Sequence, residues 1–297
     1  MPSLKAIRKR IVSTKATQKI TRAMKMVAGA RLTRAQQRIT ALRPYAVKTG
    51  DVLQSVARTM AAAAESQDEP VHPLLARRPE KKALYVVFTA DRGLCGALNT
   101  NVNKAAERAW REKDGAGIET QFVTLGRKGR EYLNRRGGNV AHDFVRIYDG
   151  LDMDKAKLVS NWIVTRFKKG EFDAIYLVFS EFKSAITQKV VVDRLLPLGD
   201  ANGEAPREVG PSDFLYEPNQ QALLERLVPM YVEISIYRAL LESQASFFGA
   251  QMTAMDAATR NAKEMIARLT LDYNRARQAG ITKELMEIVG GAEALKE

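Results

Sequence analysis

The chain has 297 residues, a formal net charge of +13, and 45% hydrophobic against 27% charged residues. That is enough chain to bury a full core with room for two domains. No apolar run approaches the roughly 20 residues a membrane-spanning helix needs, and no secretory core follows the N-terminus. A single cysteine, Cys95, excludes a disulfide framework and fits a reducing compartment. With only His72 and His142 beside it, the chain is a poor candidate for a zinc site or a histidine-activated nucleophile.

The first fifty residues hold thirteen Lys or Arg and no acid, while the remaining 247 balance 34 basic against 34 acidic groups. The whole excess therefore sits on one element and points to an acidic partner. That element reads as helix. Leu4, Ile7 and Ile11 recur at spacings of three and four, and Ile20, Met24 and Val27 resume the stripe after an interruption by Ser13, Thr14, Thr17 and Gln18. Pro44 is expected to kink or restart the helix, and a further segment runs through Val52, Leu53, Val56 and Met60. Such a narrow apolar face needs a partner helix to be stable in water.

Pro70, Pro73 and Pro79 mark a linker, after which strand-like and helix-like runs alternate. The strands expected are ALYVVFT (83–89), IETQFVTL (118–125), NVAHDFVRI (139–147), AIYLVF (174–179) and ITQKVVVDRLLPL (186–198). This βαβα order predicts a Rossmann-like domain with a mostly parallel sheet covered by helices. Its first turn, DRGLCGALN, has the look of a phosphate loop, since a strand, glycines and a helix start follow one another. It lacks both the G-x-G-x-x-G fingerprint and the Lys-Ser/Thr ending of a P-loop. Gly93 and Gly96 are therefore read as permitting a tight turn and close helix–sheet packing. Among titratable groups only Asp91, Arg92 and Asn99 draw attention there.

The last element repeats apolar or small residues at alternating steps of four and three from Leu227 to Ala276, broken only by Arg238 and Thr259. A 3.5-residue period on a helix implies a left-handed coiled coil. At 1.5 Å per residue, a helix from about Asn219 to about Gly290 is on the order of 105 Å long. The expected organisation is an N-terminal coiled-coil helix over 1–65, a linker over 66–82, the α/β domain over 83–198, a connecting loop over 199–218 and the C-terminal helix over 219–297, with the two long helices pairing antiparallel.

Four stretches in this order, KITRAMKMVAGARL, TADRGLCGALNTN, FLYEP and YNRARQAGITKELMEIVGGAEAL, resemble the γ subunits of the rotary F-type ATP synthases. The resemblance spans both ends and the middle of the chain. It implies a central rotor shaft that turns inside a ring of α and β subunits and couples proton flow through the c ring to ATP synthesis or hydrolysis on β. The γ chain of that family holds no nucleotide, metal or cofactor and makes or breaks no bond. Its partners are α, β, ε and the c ring, and the expected location is the cytoplasmic face of a bacterial inner membrane.

Carried over residue by residue, the resemblance places coupling contacts to β at Arg277, Gln278, Thr282 and Glu284, and at Lys19, Arg22, Met24 and Lys25. Asp91, Arg92, Gly93 and Gly96 are structural members of the signature turn. Ile281, Leu285, Ile288 and Val289, with Leu295, either seat in a hydrophobic bearing or finish the coiled-coil core. Tyr216 and Glu217 either touch the c ring or ε or only lead into the last helix. Three other readings make different demands. A nucleic-acid-binding coiled coil requires basic patches beyond the first helix, an enzyme requires convergent titratable groups, and a plain coiled-coil tether leaves the motifs unexplained.

Overall fold

The computed structural model describes residues 3–63, 72–75, 78–198 and 220–294. In chain order the elements are α1 (Leu4–Ala63), β1 (Lys82–Phe88), α2 (Leu98–Gly115), β2 (Glu119–Leu125), α3 (Arg127–Arg135), β3 (Val140–Phe144), α4 (Met153–Lys168), β4 (Ala174–Phe182), β5 (Gln188–Leu196) and α5 (Gln220–Ala294). The chain divides into two compact units, one made of its ends (1–29 with 251–297) and one of residues 30–250.

In the larger unit the strands form one sheet in the order β3-β2-β1-β4-β5. β1 pairs in parallel with β2 and β4, β2 pairs in parallel with β3, and only β5 runs antiparallel, against β4. β1 is apolar without alternation because both its faces are covered. Ala83, Tyr85 and Val87 pack with Val102 and Ala106 of α2 and Leu133 of α3. Leu84, Val86 and Phe88 face the other way, into a cluster with Ala156, Val159, Ile163 and Phe167 of α4 and Val228, Val232 and Ile236 of α5. Period-two geometry thus sorts one strand into two cores. The edge strand β5 is mostly half-exposed until Leu195 and Leu196, which are buried. Here α5 lies against the sheet, so its buried positions (Val228, Val232, Ile234, Ile236, Ala239, Leu240 and Leu241) spread well beyond one stripe. Pro44 does not end α1, and Pro229 lies inside α5.

The seam of α1 differs from the expected stripe. Buried or half-buried positions run Ile7, Ile11, Thr14, Gln18, Thr21, Lys25 and Ala28 in the smaller unit, and Leu32, Ala35, Ile39, Leu42, Ala46 and Thr49 in the larger. Ile20 and Val27, assigned to the stripe from their chemistry, are more than half exposed. The heptad spacing continues through Thr14 and Thr21 because their small side chains bond to helix carbonyls or to the partner helix. Thr14 donates to the Arg10 carbonyl (2.9 Å), and the hydroxyls of Thr21 and Thr259 meet at 2.8 Å. Thr259 also donates to the Met255 carbonyl at 2.7 Å, so the break it makes in the apolar series of α5 is matched by Thr21 in α1.

Glycine roles also shift. Gly96 adopts φ +58°, as a tight turn requires, but the neighbouring left-handed residue is Leu94 at φ 64° rather than Gly93. A Cβ on Gly93 or Gly96 would meet nothing within 4 Å, so neither provides close helix–sheet packing. That role falls to the next βα turn. A Cβ on Gly126 (φ +97°) would overlap the Thr89 carbonyl, and one on Gly129 would lie 2.9 Å from Thr89 Oγ1.

Candidate functional site

In the smaller unit the ends of α1 and α5 pair antiparallel. Thr14 lies against Met265, Thr21 against Thr259, Lys25 against Asp256 and Gly29 against Met252. At this register Ser3, the first described residue, falls opposite the region of Arg277. Residues of α5 beyond it have no described α1 residue opposite them. Ile281, Leu285, Ile288 and Val289 are accordingly 48–72% exposed, and Met286 joins them at 64%. A coiled-coil core would bury these side chains, and no helix among the described residues does so. Leu295 lies outside the described residues.

The polar residues singled out on α5 are also at the surface. Arg277, Gln278 and Glu284 are exposed, as is Thr282, whose hydroxyl donates back to the Gln278 carbonyl at 3.0 Å. On α1, Lys19 and Arg22 are exposed, whereas Met24 is half-buried. Lys25 is engaged by Asp256, which holds that carboxyl below its usual range through the hydrogen bond from the ammonium. Asp256 is also approached by Arg260 at 3.6 Å. Lys25 is therefore committed to the helix pair, unlike Lys19 and Arg22. Of the thirteen basic residues of the first fifty, the other twelve are exposed. Val12, Ile20, Met26 and Val27 stand among them as exposed apolar side chains. The outer surface of this element is cationic with isolated apolar patches.

The signature turn is held by its own polar groups. Asn99 Oδ1 accepts from the Ala90 N–H at 2.9 Å, and its amide donates to the Arg92 carbonyl at 3.2 Å. Asp91 accepts the Arg127 N–H at 3.0 Å, capping α3 across the two turns. Asp91 and Asn99 thus tie loops together and do not converge as a catalytic pair. Cys95 is buried, and desolvation raises its thiol above the ordinary range, which suits an inert side chain. His72 is buried with Nδ1 accepting from the Leu74 N–H at 3.1 Å, and His142 stacks on Trp162 at 5.2 Å. Among the described residues no group of His, Cys, Asp and Glu could hold a metal ion, and no helix is long and apolar enough to cross a membrane. Tyr216 and Glu217 lie outside the described residues.

The family model described as ATP synthase matches residues 3–295. An ATP synthase gamma chain from Sorangium cellulosum is 56% identical, with all of both chains covered. The chain belongs to the ATP synthase gamma-chain family. Gamma chains from Anaeromyxobacter sp. and Geobacter metallireducens are 48% and 47% identical, again over all of both chains. Among solved structures, a chain of the Euglena gracilis mitochondrial ATP synthase has a TM-score of 0.65 at 20% identity, covering 98% of this chain and 94% of its own. A chain of the Tetrahymena thermophila mitochondrial ATP synthase central stalk and c ring has a TM-score of 0.63 at 23% identity, covering 80% and 99%. These two likenesses concern the fold.

Sequence reasoning missed two features of the site. The half-burial of Lys25 follows from its place at a heptad position opposite Asp256, and only the register between two distant segments reveals it. The exposure of α5 beyond Arg277 likewise depends on the register of two distant segments, which carries α5 past the first described residue of α1.

Proposed function

We infer that the chain is the central shaft of a proton-translocating F-type ATP synthase, turning inside a ring of α and β subunits and coupling proton flow through the c ring to ATP chemistry on β. What carries this reading is the smaller unit: an antiparallel helix pair with a closed inner seam, a cationic outer surface and an α5 end whose apolar side chains are exposed, with no partner among the described residues. A shaft inside a sleeve needs this division, because interlocked helices resist twisting while broad apolar adhesion along the outside would hinder rotation. Ile281, Leu285, Ile288 and Val289 are assigned to a hydrophobic bearing in the ring. Arg277, Gln278, Thr282 and Glu284 are assigned to contacts with β, with the planar five-donor fork of Arg277 suited to a carboxylate that must be held and released. Lys19, Arg22 and Met24 are assigned to contacts with β near the neck of the shaft, and Met24 is unbranched and adaptable enough for a sliding contact. Lys25 supports this surface from within the seam.

The helices over 1–65 and 219–297 form the shaft, and the domain over 83–198 is the foot that meets ε and the c ring, with Tyr216 and Glu217 as candidate contacts. The chain is a non-catalytic, peripheral subunit at the cytoplasmic face of a bacterial inner membrane, and the nucleotides turned over by the complex sit on other chains. The test is co-purification with candidate α and β subunits. One copy of this chain per three αβ pairs, with ATP hydrolysis dependent on its presence, is the expected result. Nucleic-acid binding without such a complex would reject it.

A further inference from the structure

In the larger unit α5 meets the sheet through two kinds of contact. Most of it is apolar: Val228, Val232, Ile236 and Leu240 share one cluster with Val86 of β1 and Leu177 of β4. Such contact is favourable but non-directional, so it resists separation of the layers better than a slide of one along the other. It is also interrupted. Beside Phe247 and Phe248 a cavity of about 230 Å³ opens between α5 and the carboxyl ends of β1 and β4, with Thr89, Ser180 and Ser243 on its walls.

At that level polar groups hold the helix. β1 pairs with β4 only as far as Val87↔Val178, whereas β4 runs on to Phe182, still paired with β5 at Gln188. Past the end of β1, the inner edge of β4 carries backbone groups that need partners other than a strand. Side chains of α5 supply them. Ser246 Oγ donates to the Ser180 carbonyl at 2.9 Å, and Glu242 Oε2 accepts the Phe182 N–H at 2.8 Å. Both side chains are buried, Ser246 entirely. Gly249 follows on the same helix face, at the i+3 spacing from Ser246. A Cβ there would lie 3.1 Å from the Phe182 ring and 3.3 Å from Ala185 Cα, so the β4–β5 turn seats directly on the helix backbone. Hydrogen bonds to fixed backbone groups are directional, and a slide or rotation of α5 against the sheet breaks both at once and orphans buried groups.

We propose that Glu242, Ser246 and Gly249 form a clamp that fixes the register of α5 on β4, and that torque passes between the sheet domain and the shaft through this clamp. The proposal rests on the shaft reading above and adds to it the positioning residues that make the sheet domain and α5 turn as one body. During ATP hydrolysis with the sheet domain unloaded, the clamp carries little. When that domain drives the c ring, or is driven by it, the clamp carries the torque.

The test compares the double variant Glu242→Leu, Ser246→Ala with the parent chain, first assembled with α and β alone and then in the whole complex in sealed vesicles. Unloaded ATP hydrolysis should stay within about twofold of the parent, while protons pumped per ATP should fall about fivefold, the factor that corresponds to one ordinary hydrogen bond. Glu242→Gln keeps an acceptor for Phe182 and should pump like the parent. Ser246→Ala alone removes one hydroxyl and should show a smaller loss of pumping, which keeps the proposal testable if the double variant folds poorly. Gly126→Ala, a strained substitution outside the clamp, should leave protons pumped per ATP unchanged. Unchanged pumping per ATP in the double variant or in Ser246→Ala would overturn the proposal. So would parallel loss of unloaded hydrolysis and pumping, or a loss of pumping per ATP in Gly126→Ala equal to that of the clamp variants. Failure of the parent chain to assemble with α and β is a separate result, which would reject the shaft reading and the clamp with it.

Discussion

Glu242 shows how one side chain registers the packing of α5 on the sheet. It is 4% exposed, and its Oε2 accepts the Phe182 N–H at 2.8 Å, so it ties the end of β4 to the long helix. Desolvation raises its pKa, against the lowering effects of the Phe182 N–H, Arg238 and Arg43. A carboxyl raised in the folded state favours folding most below its unfolded pKa of about 4.3. Its contribution is lost as pH climbs through the raised folded value. Glu242→Gln keeps an acceptor for Phe182 and removes the buried charge. It should raise the melting temperature at pH 7 and have a smaller effect at pH 4, as read by calorimetry at the two pH values. An equal shift at both would show that the charge carries no penalty. From the sequence, Glu242 was one more acid on a charged helix, because its burial depends on a strand 60 residues away.

At the scale of elements, the strand and helix runs were legible because the sheet's central strands are covered on both faces and therefore read as continuous apolar segments. The same logic failed for α1. Ile20 and Val27 have the chemistry of core residues, but the heptad position belongs to Thr21, which is tolerated in the seam because its hydroxyl meets that of Thr259. Position in the repeat outweighed residue type. The βα turns give a parallel lesson and a paired prediction. Gly93→Ala adds a Cβ into open space at a residue without a left-handed φ, so it should be neutral or stabilise by up to about 1 kcal/mol by restricting the unfolded chain. Gly126→Ala meets the Thr89 carbonyl at φ +97° and should cost more than about 2 kcal/mol. Chemical denaturation of the two variants measures this contrast, and equal stabilities would refute the assignment of close packing to the second turn.

For the whole molecule, the apolar end of α5 separates self-packing from partner binding. Replacing Ile281, Leu285 and Ile288 with Ser should leave the thermal stability of the isolated chain unchanged within error, since these side chains are more than half exposed among the described residues. The same triple variant should reduce ATP-driven proton pumping in the reconstituted complex. A marked loss of melting temperature in the isolated chain would return these residues to a coiled-coil core. The sequence by itself determined the kinds of element, their order, the heptad repeat and the concentration of positive charge on one helix, because periodicity and composition are local properties. The tertiary structure decided which face of α1 is the seam, that Lys25 is paired while Lys19 and Arg22 are exposed, and that Gly126 is the tightly packed glycine. It also decided that the hydroxyls of Tyr148, Ser180 and Ser243 lie at one cavity where DRGLCGALN leaves β1. Each of these depends on the register between segments distant in the chain, which local pattern does not encode.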